Sequence, residues 1–284
     1  MEFVKLVGPF GTIFIMFALG LNLNINDFIK VIKKPNNLII GLISQLIILP
    51  LIGLILVKAY PMREEFQLGV FLLLILPSAV MSNYATKLIK GNVALSIILT
   101  SICALFSFMT IPTFLTLFSM FVFDGNFEVE LLSFSLKLFF FMSLPTMIGV
   151  LLRSKYPKYI ENKTFALDRA ALFLFLFIIF YAIYTERFNL KSYFEDTGGI
   201  SFIIVFLILI SVFTITNVFI DDTGSRRAIR IEALLQNGAM GIVVGAQIFD
   251  KIAYITPIAI YALIQYIVLM FYIGNINITE KNIK

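Results

Sequence analysis

Nine runs of about 20 mostly apolar residues decide what this chain can fold into. They cover residues 3–23, 36–57, 66–87, 91–122, 131–152, 164–185, 199–220, 230–249 and 253–275. A helix needs about 20 such residues to cross the hydrocarbon of a bilayer, and in lipid every backbone polar group must be paired internally. The links between runs are short and leave no room for a soluble catalytic domain. Composition points the same way: 60% of the residues are hydrophobic and 14% charged, more apolar surface than a soluble core of 284 residues needs. The expected fold is one all-α polytopic membrane domain over residues 1–284, with nine transmembrane helices.

The formal net charge of +5 would suggest a nucleic-acid partner in a soluble protein. Here the basic residues follow topology. Twelve Lys and Arg lie on the alternate links 24–35, 88–90, 153–163 and 221–229 and the tail 276–284. Five lie on the opposite set, 1–2, 58–65, 123–130, 186–198 and 250–252. This bias places the N-terminus outside and the C-terminus in the cytoplasm, across the cell's inner (plasma) membrane, with the lipid bilayer as partner and no nucleic acid. Cys103 is the only cysteine, so no intrachain disulfide or cysteine-based metal site can form, and the absence of histidine removes the commonest general base. Residues 3–20 also suit a signal peptide. The stretch runs into Asn22-Leu23-Asn24 without a small-x-small site, however, and is expected to remain as the first helix.

Two runs are interrupted by polar groups. The third carries Pro77, then Ser78, Ser82 and Asn83; the eighth carries Glu232, Gln236, Asn237 and Gly238. Pro50, Pro112, Pro145 and Pro257 read as kinks or helix ends. With the N-terminus outside, run three points inward and run eight outward. Each is the penultimate run of its half if the halves are runs 1–4 and 5–9, the first half being one helix short. Interrupted helices at matching places in opposed halves are the sequence pointer to a transport site near the bilayer midplane.

The polar residues themselves suggest chemistry. A carboxylate within a membrane run costs roughly 2.5–3.5 kcal/mol even on insertion scales, so Glu232 needs a use. Gln236 shares its helix face, four residues on. Gln45 lies midway along run two, Ser82 and Asn83 follow the first break, and Ser96 and Thr100 share a face of run four. One carboxylate with several neutral oxygens suits Na⁺ better than a divalent ion, and carbonyls freed at a helix break add ligands. Helix N-termini at the breaks offer N–H groups to an anionic solute. Plainer readings stand beside this one. A lone membrane Ser or Thr bonds back to the carbonyl four residues earlier, Gln45 suits interhelical packing, and Glu232 suits a proton carrier or a partner of Lys137. Phe139–Phe141, Phe173, Phe175 and Phe177 read as lipid-facing or packing residues, and Asp221-Asp222 with Arg226-Arg227 as a solvated link.

At these residues the chain resembles the bile acid:sodium symporter (BASS) family over about residues 6–275. The stretches are Met16 to Leu23 with Asp27-Phe28; Gly41 to Gln45 with Leu49-Pro50; Pro77 to Asn83; Lys90 to Ser96 with Thr100; and Ile231 to Asn237. The resemblance implies an inverted repeat with two crossing discontinuous helices, a core of about 36–122 and 199–275, and a panel of about 3–23 and 131–185. It implies the nine-helix form of the family, and two Na⁺ with no organic cofactor. One ion would use Ser82, Asn83, Ser96, Thr100 and Glu232. The other would use Gln45 and Gln236 with carbonyls around Glu232, Ala233 and Leu235. Asn237 would face the solute together with Val80, Met81 and Asn83. Where the family often has Pro-Gly-Gly-Thr, this chain has Pro77-Ser-Ala-Val80-Met81, which removes a hydroxyl and two glycines beside the solute.

The function expected is a sodium-coupled symporter of a small organic anion, such as a bile-acid-like or carboxylate solute, working by alternating access. A proton-coupled or uncoupled carrier on the same fold is the alternative, and a membrane-embedded enzyme or receptor a distant one. Without histidine or a paired acid, hydrolytic chemistry has no evident machinery.

Overall fold

The computed structural model describes residues 2–23, 28–29, 31, 33, 35–123, 130–185, 187–248 and 254–282. All or most of the links 24–35, 123–130 and 250–252, Asp27 included, lie outside the described residues, as does the side chain of Phe175. Apolar runs become helices, because in lipid the helix alone closes its backbone bonds within one segment. They are α1 (Glu2–Asn22), α2 (Pro35–Ala59), α3 (Glu64–Leu74), α4 (Met81–Leu88), α5 (Val93–Val122), α6 (Leu132–Lys155), α7 (Pro157–Thr185), α8 (Leu190–Phe219), α9 (Thr223–Leu234), α10 (Gly238–Ile248) and α11 (Thr256–Asn282). Among the described residues, α2, α5, α6, α8 and residues 256–276 of α11 are long and apolar enough to cross a bilayer. The chain is a multi-pass helical membrane protein.

The prolines act as their chemistry dictates. Pro50 and Pro145 each follow a π-helical turn, Ser44–Ile48 in α2 and Phe139–Ser143 in α6, where the widened turn absorbs the missing donor and the ring. Pro257 stands at the second position of α11, where its missing N–H costs nothing. Pro77 lies between α3 and α4 and separates them. Phe140, Phe173 and Phe177 are exposed on the apolar exterior, while Phe139 packs edge-on against Phe108.

Two features fix the helices around the polar centre. At one end, Asp222 caps α9 by accepting from the Ser225 N–H at 2.8 Å, and Asn92 caps α5 by accepting from the Leu95 N–H at 3.1 Å. The buried Ser225 hydroxyl then accepts from Asn37 of α2 at 2.9 Å and from Asn92 at 3.3 Å, joining α2, α5 and α9. Arg226 donates to the Ile220 carbonyl and Arg227 to the Ile89 carbonyl just beyond α4. Asp222 and the two arginines therefore brace helix ends, a role that the reading as a solvated link missed. Elsewhere α1 lies against α6 and α7, and touches α6 so closely that a Cβ on Gly20 would sit 2.2 Å from the Thr146 carbonyl oxygen. Small residues permit such backbone contact between membrane helices.

Candidate functional site

The two breaks meet. After α3, Pro77 has no N–H to continue the helix and disfavours helical geometry at Leu76. The chain leaves the helix there and turns back into helical geometry at Val80, where the Ser82 and Asn83 N–H groups bond the Ala79 and Val80 carbonyls and α4 begins. After α9, Leu235 is extended and the helix restarts at Gly238. Ser78 and Gln236 pair as an isolated antiparallel bridge, and the Ala79 N–H donates to the Leu235 carbonyl at 3.1 Å. Each interrupted helix thus satisfies part of its broken backbone with the other.

Glu232 lies in the last turn of α9, fully buried. Its Oε1 accepts from the Ser82 hydroxyl and from the Ser96 hydroxyl at 2.5 Å. Its Oε2 accepts from the Ser78 hydroxyl, from Thr100 Oγ1 at 2.7 Å and from Gln45 Nε2 at 3.1 Å. All five partners are neutral. They come from α2, the first break, α4 and α5, so the carboxylate gathers four parts of the chain. Lys137, the alternative partner, is exposed and does not pair with it. Among the described residues no group of three or more His, Cys, Asp or Glu exists, so Glu232 is a single acid among neutral oxygens.

The π turn of α2 carries Gln45 inward, where its Oε1 accepts from the Cys103 thiol at 2.8 Å. Thr100 also reaches the Ser96 carbonyl at 3.1 Å, the back-bond of an ordinary membrane threonine, and the carboxylate competes for the same proton. Thr113, Thr116, Thr146 and Thr197 make only that local bond.

Of the residues read from sequence, Ser82, Ser96, Thr100 and Gln45 converge on Glu232. Asn83 stands one step out, its Oδ1 2.9 Å from the Ser96 hydroxyl. Gln236, in the break, folds back onto the end of α9, its Nε2 donating to the Ala233 carbonyl at 3.0 Å, and the Leu235 carbonyl is the one that takes Ala79. Val80, Met81 and Asn83 are half-buried along the start of α4. Asn237 is buried and caps α10, its Oδ1 accepting from the Met240 N–H at 3.0 Å, which leaves its Nδ2 as a buried donor without a partner. Sequence reasoning missed three participants. Ser78 was visible as a polar residue at the break but had no assigned role. Thr86 bonds the Ser96 hydroxyl at 3.3 Å, and Gln265 bonds the second break. An amide inside the apolar run 253–275 was the available signal for Gln265.

The breaks carry opposite electrostatic ends: α3 and α9 finish in C-terminal carbonyls, while α4 and α10 begin in N-terminal amides, with Ser82 of α4 donating to Glu232 and Asn237 capping α10. Interrupted helices paired over a buried acid define a class, the membrane transporters that bind ions and solutes at helix breaks. Comparison with known proteins agrees. The sodium bile acid symporter family model matches residues 9–193, and the chain belongs to that family. It is a sodium-dependent transporter and not an enzyme. It is 28% identical over 255 residues to the uncharacterized sodium-dependent transporter YocS of Bacillus subtilis (strain 168), covering 87% of this chain and 76% of that one. To the probable chloroplastic sodium/metabolite cotransporter BASS2 of Oryza sativa subsp. japonica it is 25% identical, over 87% of this chain and 58% of the relative. To the hepatic sodium/bile acid cotransporter of Homo sapiens it is 28% identical, over 52% of this chain and 43% of the relative. The chain spans less than two-thirds of the length of the plant and human relatives.

Proposed function

We propose that this protein is a sodium-coupled symporter that moves a small organic anion across the plasma membrane by alternating access. The observation that carries the reading is the buried Glu232 carboxylate, met by four hydroxyls and one amide and, among the described residues, by no Lys or Arg. A hydroxyl holds one proton and two lone pairs, so the groups that donate to the carboxylate can turn and present oxygen to Na⁺. This donor set fits a hard monovalent ion. One Na⁺ is assigned to Ser82, Asn83, Ser96, Thr100 and Glu232. A second is assigned to Gln45, Gln236, Glu232 and the carbonyls at Ala233 and Leu235, with Glu232 shared by both. Asn237 Nδ2 and the N-terminal amides of α4 and α10 suit a carboxylate or sulfonate, and Val80, Met81 and Asn83 line its path.

Nine crossings, an outside N-terminus and a cytoplasmic C-terminus complete the reading. The core is assigned to about 36–122 and 199–275, and it moves against the panel of about 3–23 and 131–185. The names of the plant and bacterial relatives support sodium coupling and a metabolite-sized solute. The test is uptake of small organic anions by vesicles containing the purified protein. Sodium-driven uptake is expected from the wild type and none from Glu232→Ala. Accumulation driven by a pH gradient in sodium-free buffer would replace this reading with proton coupling.

A further inference from the structure

Gln236 sits in the second break with its peptide groups turned away from Ser78. In the bridge between them, the backbone bond comes from the flanking residues, Ala79 N–H to Leu235 carbonyl. A pair of this kind leaves its own N–H and C=O pointing outward, as on the edge of a two-stranded ribbon. Both outward groups are closed by one side chain from α11. The Gln265 Oε1 accepts from the Gln236 N–H at 2.9 Å, and the Gln265 Nε2 donates to the Gln236 carbonyl at 2.9 Å. Gln265 is fully buried. The approach that brings it there is tight: a Cβ on Gly238 would lie 2.8 Å from the Ala262 Cβ, one turn before Gln265 on α11.

We propose that Gln265 is a positioning residue for the Glu232 centre, its carboxamide acting as a third strand that holds the second break open. This rests on the reading of Glu232 as a sodium site. Glu232 lies four residues before Gln236 and Asn237 follows it, so the peptide that Gln265 grips sets the register of the acid on one side and of the solute-facing amide on the other. Without it, the Gln236 N–H is left unpaired in a medium without water and the Gln236 carbonyl keeps only the Gly238 N–H at 3.0 Å, and the cheapest repair is to wind residues 235–237 toward a helix. That repair takes Leu235 from Ala79 and Asn237 from the cap of α10. Gln265 does not touch Glu232, so its effect on sodium passes through the backbone.

The test measures melting temperature in detergent against NaCl concentration, with KCl holding ionic strength, for the wild type, Gln265→Leu and Gln265→Glu. For Gln265→Leu the sodium concentration giving half the shift is expected to rise by about tenfold or more, the scale of a lost buried hydrogen bond to the site. A merely structural role lowers the melting temperature equally in both salts and leaves that concentration unchanged, and this result overturns the proposal. A wild type without any sodium response overturns the sodium reading and the proposal with it. If Gln265→Leu does not fold, Gln265→Glu decides. A protonated glutamate offers one donor and one acceptor, as the carboxamide does, so its sodium response is expected to recover toward wild type as pH is lowered. A deficit that does not change with pH overturns the proposal.

Discussion

Glu232 is met only by neutral dipoles among its hydrogen-bond partners, from Ser78, Ser82, Ser96, Thr100 and Gln45. Burying an acid without a counter-charge costs several kcal/mol after relaxation, roughly. Glu232→Gln keeps the shape and removes that cost. Its melting temperature in KCl is expected to be no lower than the wild type's, while the rise on adding NaCl disappears. A variant that melts earlier in KCl and keeps the sodium rise would contradict the assigned role. Ser78 contributes one of the five bonds from the break itself. A hydrogen bond to a charged group is worth about 1.5–3 kcal/mol, so Ser78→Ala is expected to raise the sodium needed for half the thermal shift by about tenfold or more. Titration of the shift checks this, and an unchanged midpoint would assign Ser78 to the backbone crossing only.

Between elements, the α1–α6 contact works by absence of side chain. A Cβ on Gly20 would lie 2.2 Å from the Thr146 carbonyl oxygen, and one on Gly149 would lie 2.5 Å from the Phe17 carbonyl oxygen. Backbone cannot give way as a flexible side chain can, so Gly20→Ala is expected to destabilise by about 1–3 kcal/mol through overpacking. Since the partners of Glu232 come from other elements, the sodium midpoint of this variant is expected to stay at the wild-type value; melting curves in both salts separate the two effects. Elements of this kind were legible in the sequence as far as hydropathy and proline chemistry reach. The apolar runs gave the helices, and Pro77 with Asn237-Gly238 gave the breaks. Glu232 gave the centre, because a membrane acid is costly wherever it lies. What stayed hidden depends on tertiary facing: which peptide groups point outward at the crossing, and hence Gln265; and which chain ends cap one another, and hence Ser225 and Asp222. The π turns before Pro50 and Pro145 were hidden too, since a kink in sequence does not say how its lost hydrogen bond is absorbed.

Across the whole molecule, more than one polar tie spans the boundary assigned to core and panel: the Ser143 hydroxyl donates to the Ala104 carbonyl at 3.3 Å, and a second tie centres on Asp168. Asn22 at the end of α1 donates to Asp168 Oδ1 of α7 at 2.6 Å, and the Tyr84 side chain of α4 hydrogen-bonds the same carboxylate. Tyr84 lies on the short helix that begins at the first break, one turn beyond Met81 and beside Asn83. If the crossing moves as a body against α1 and α7, this tie has to open once in each cycle, so it favours the arrangement described here. A ligand or mutation shifts such an equilibrium only by its differential effect on the two states, and removing a bond present in one state alone does that. Met81→Cys gives a reporter on the half-buried wall, with little background because the native Cys103 is buried. Asp168→Asn weakens the charge-assisted bonds from Tyr84 and Asn22. Added to Met81→Cys, it is expected to change the rate of labelling by a membrane-impermeant maleimide severalfold in sodium-free vesicles, while the sodium midpoint of thermal stability stays within about twofold, since Asp168 makes no bond to the Glu232 centre. Equal labelling rates with and without the substitution would mean that the tie does not hold the two bodies together, and that α4 moves with α1 and α7 instead of against them.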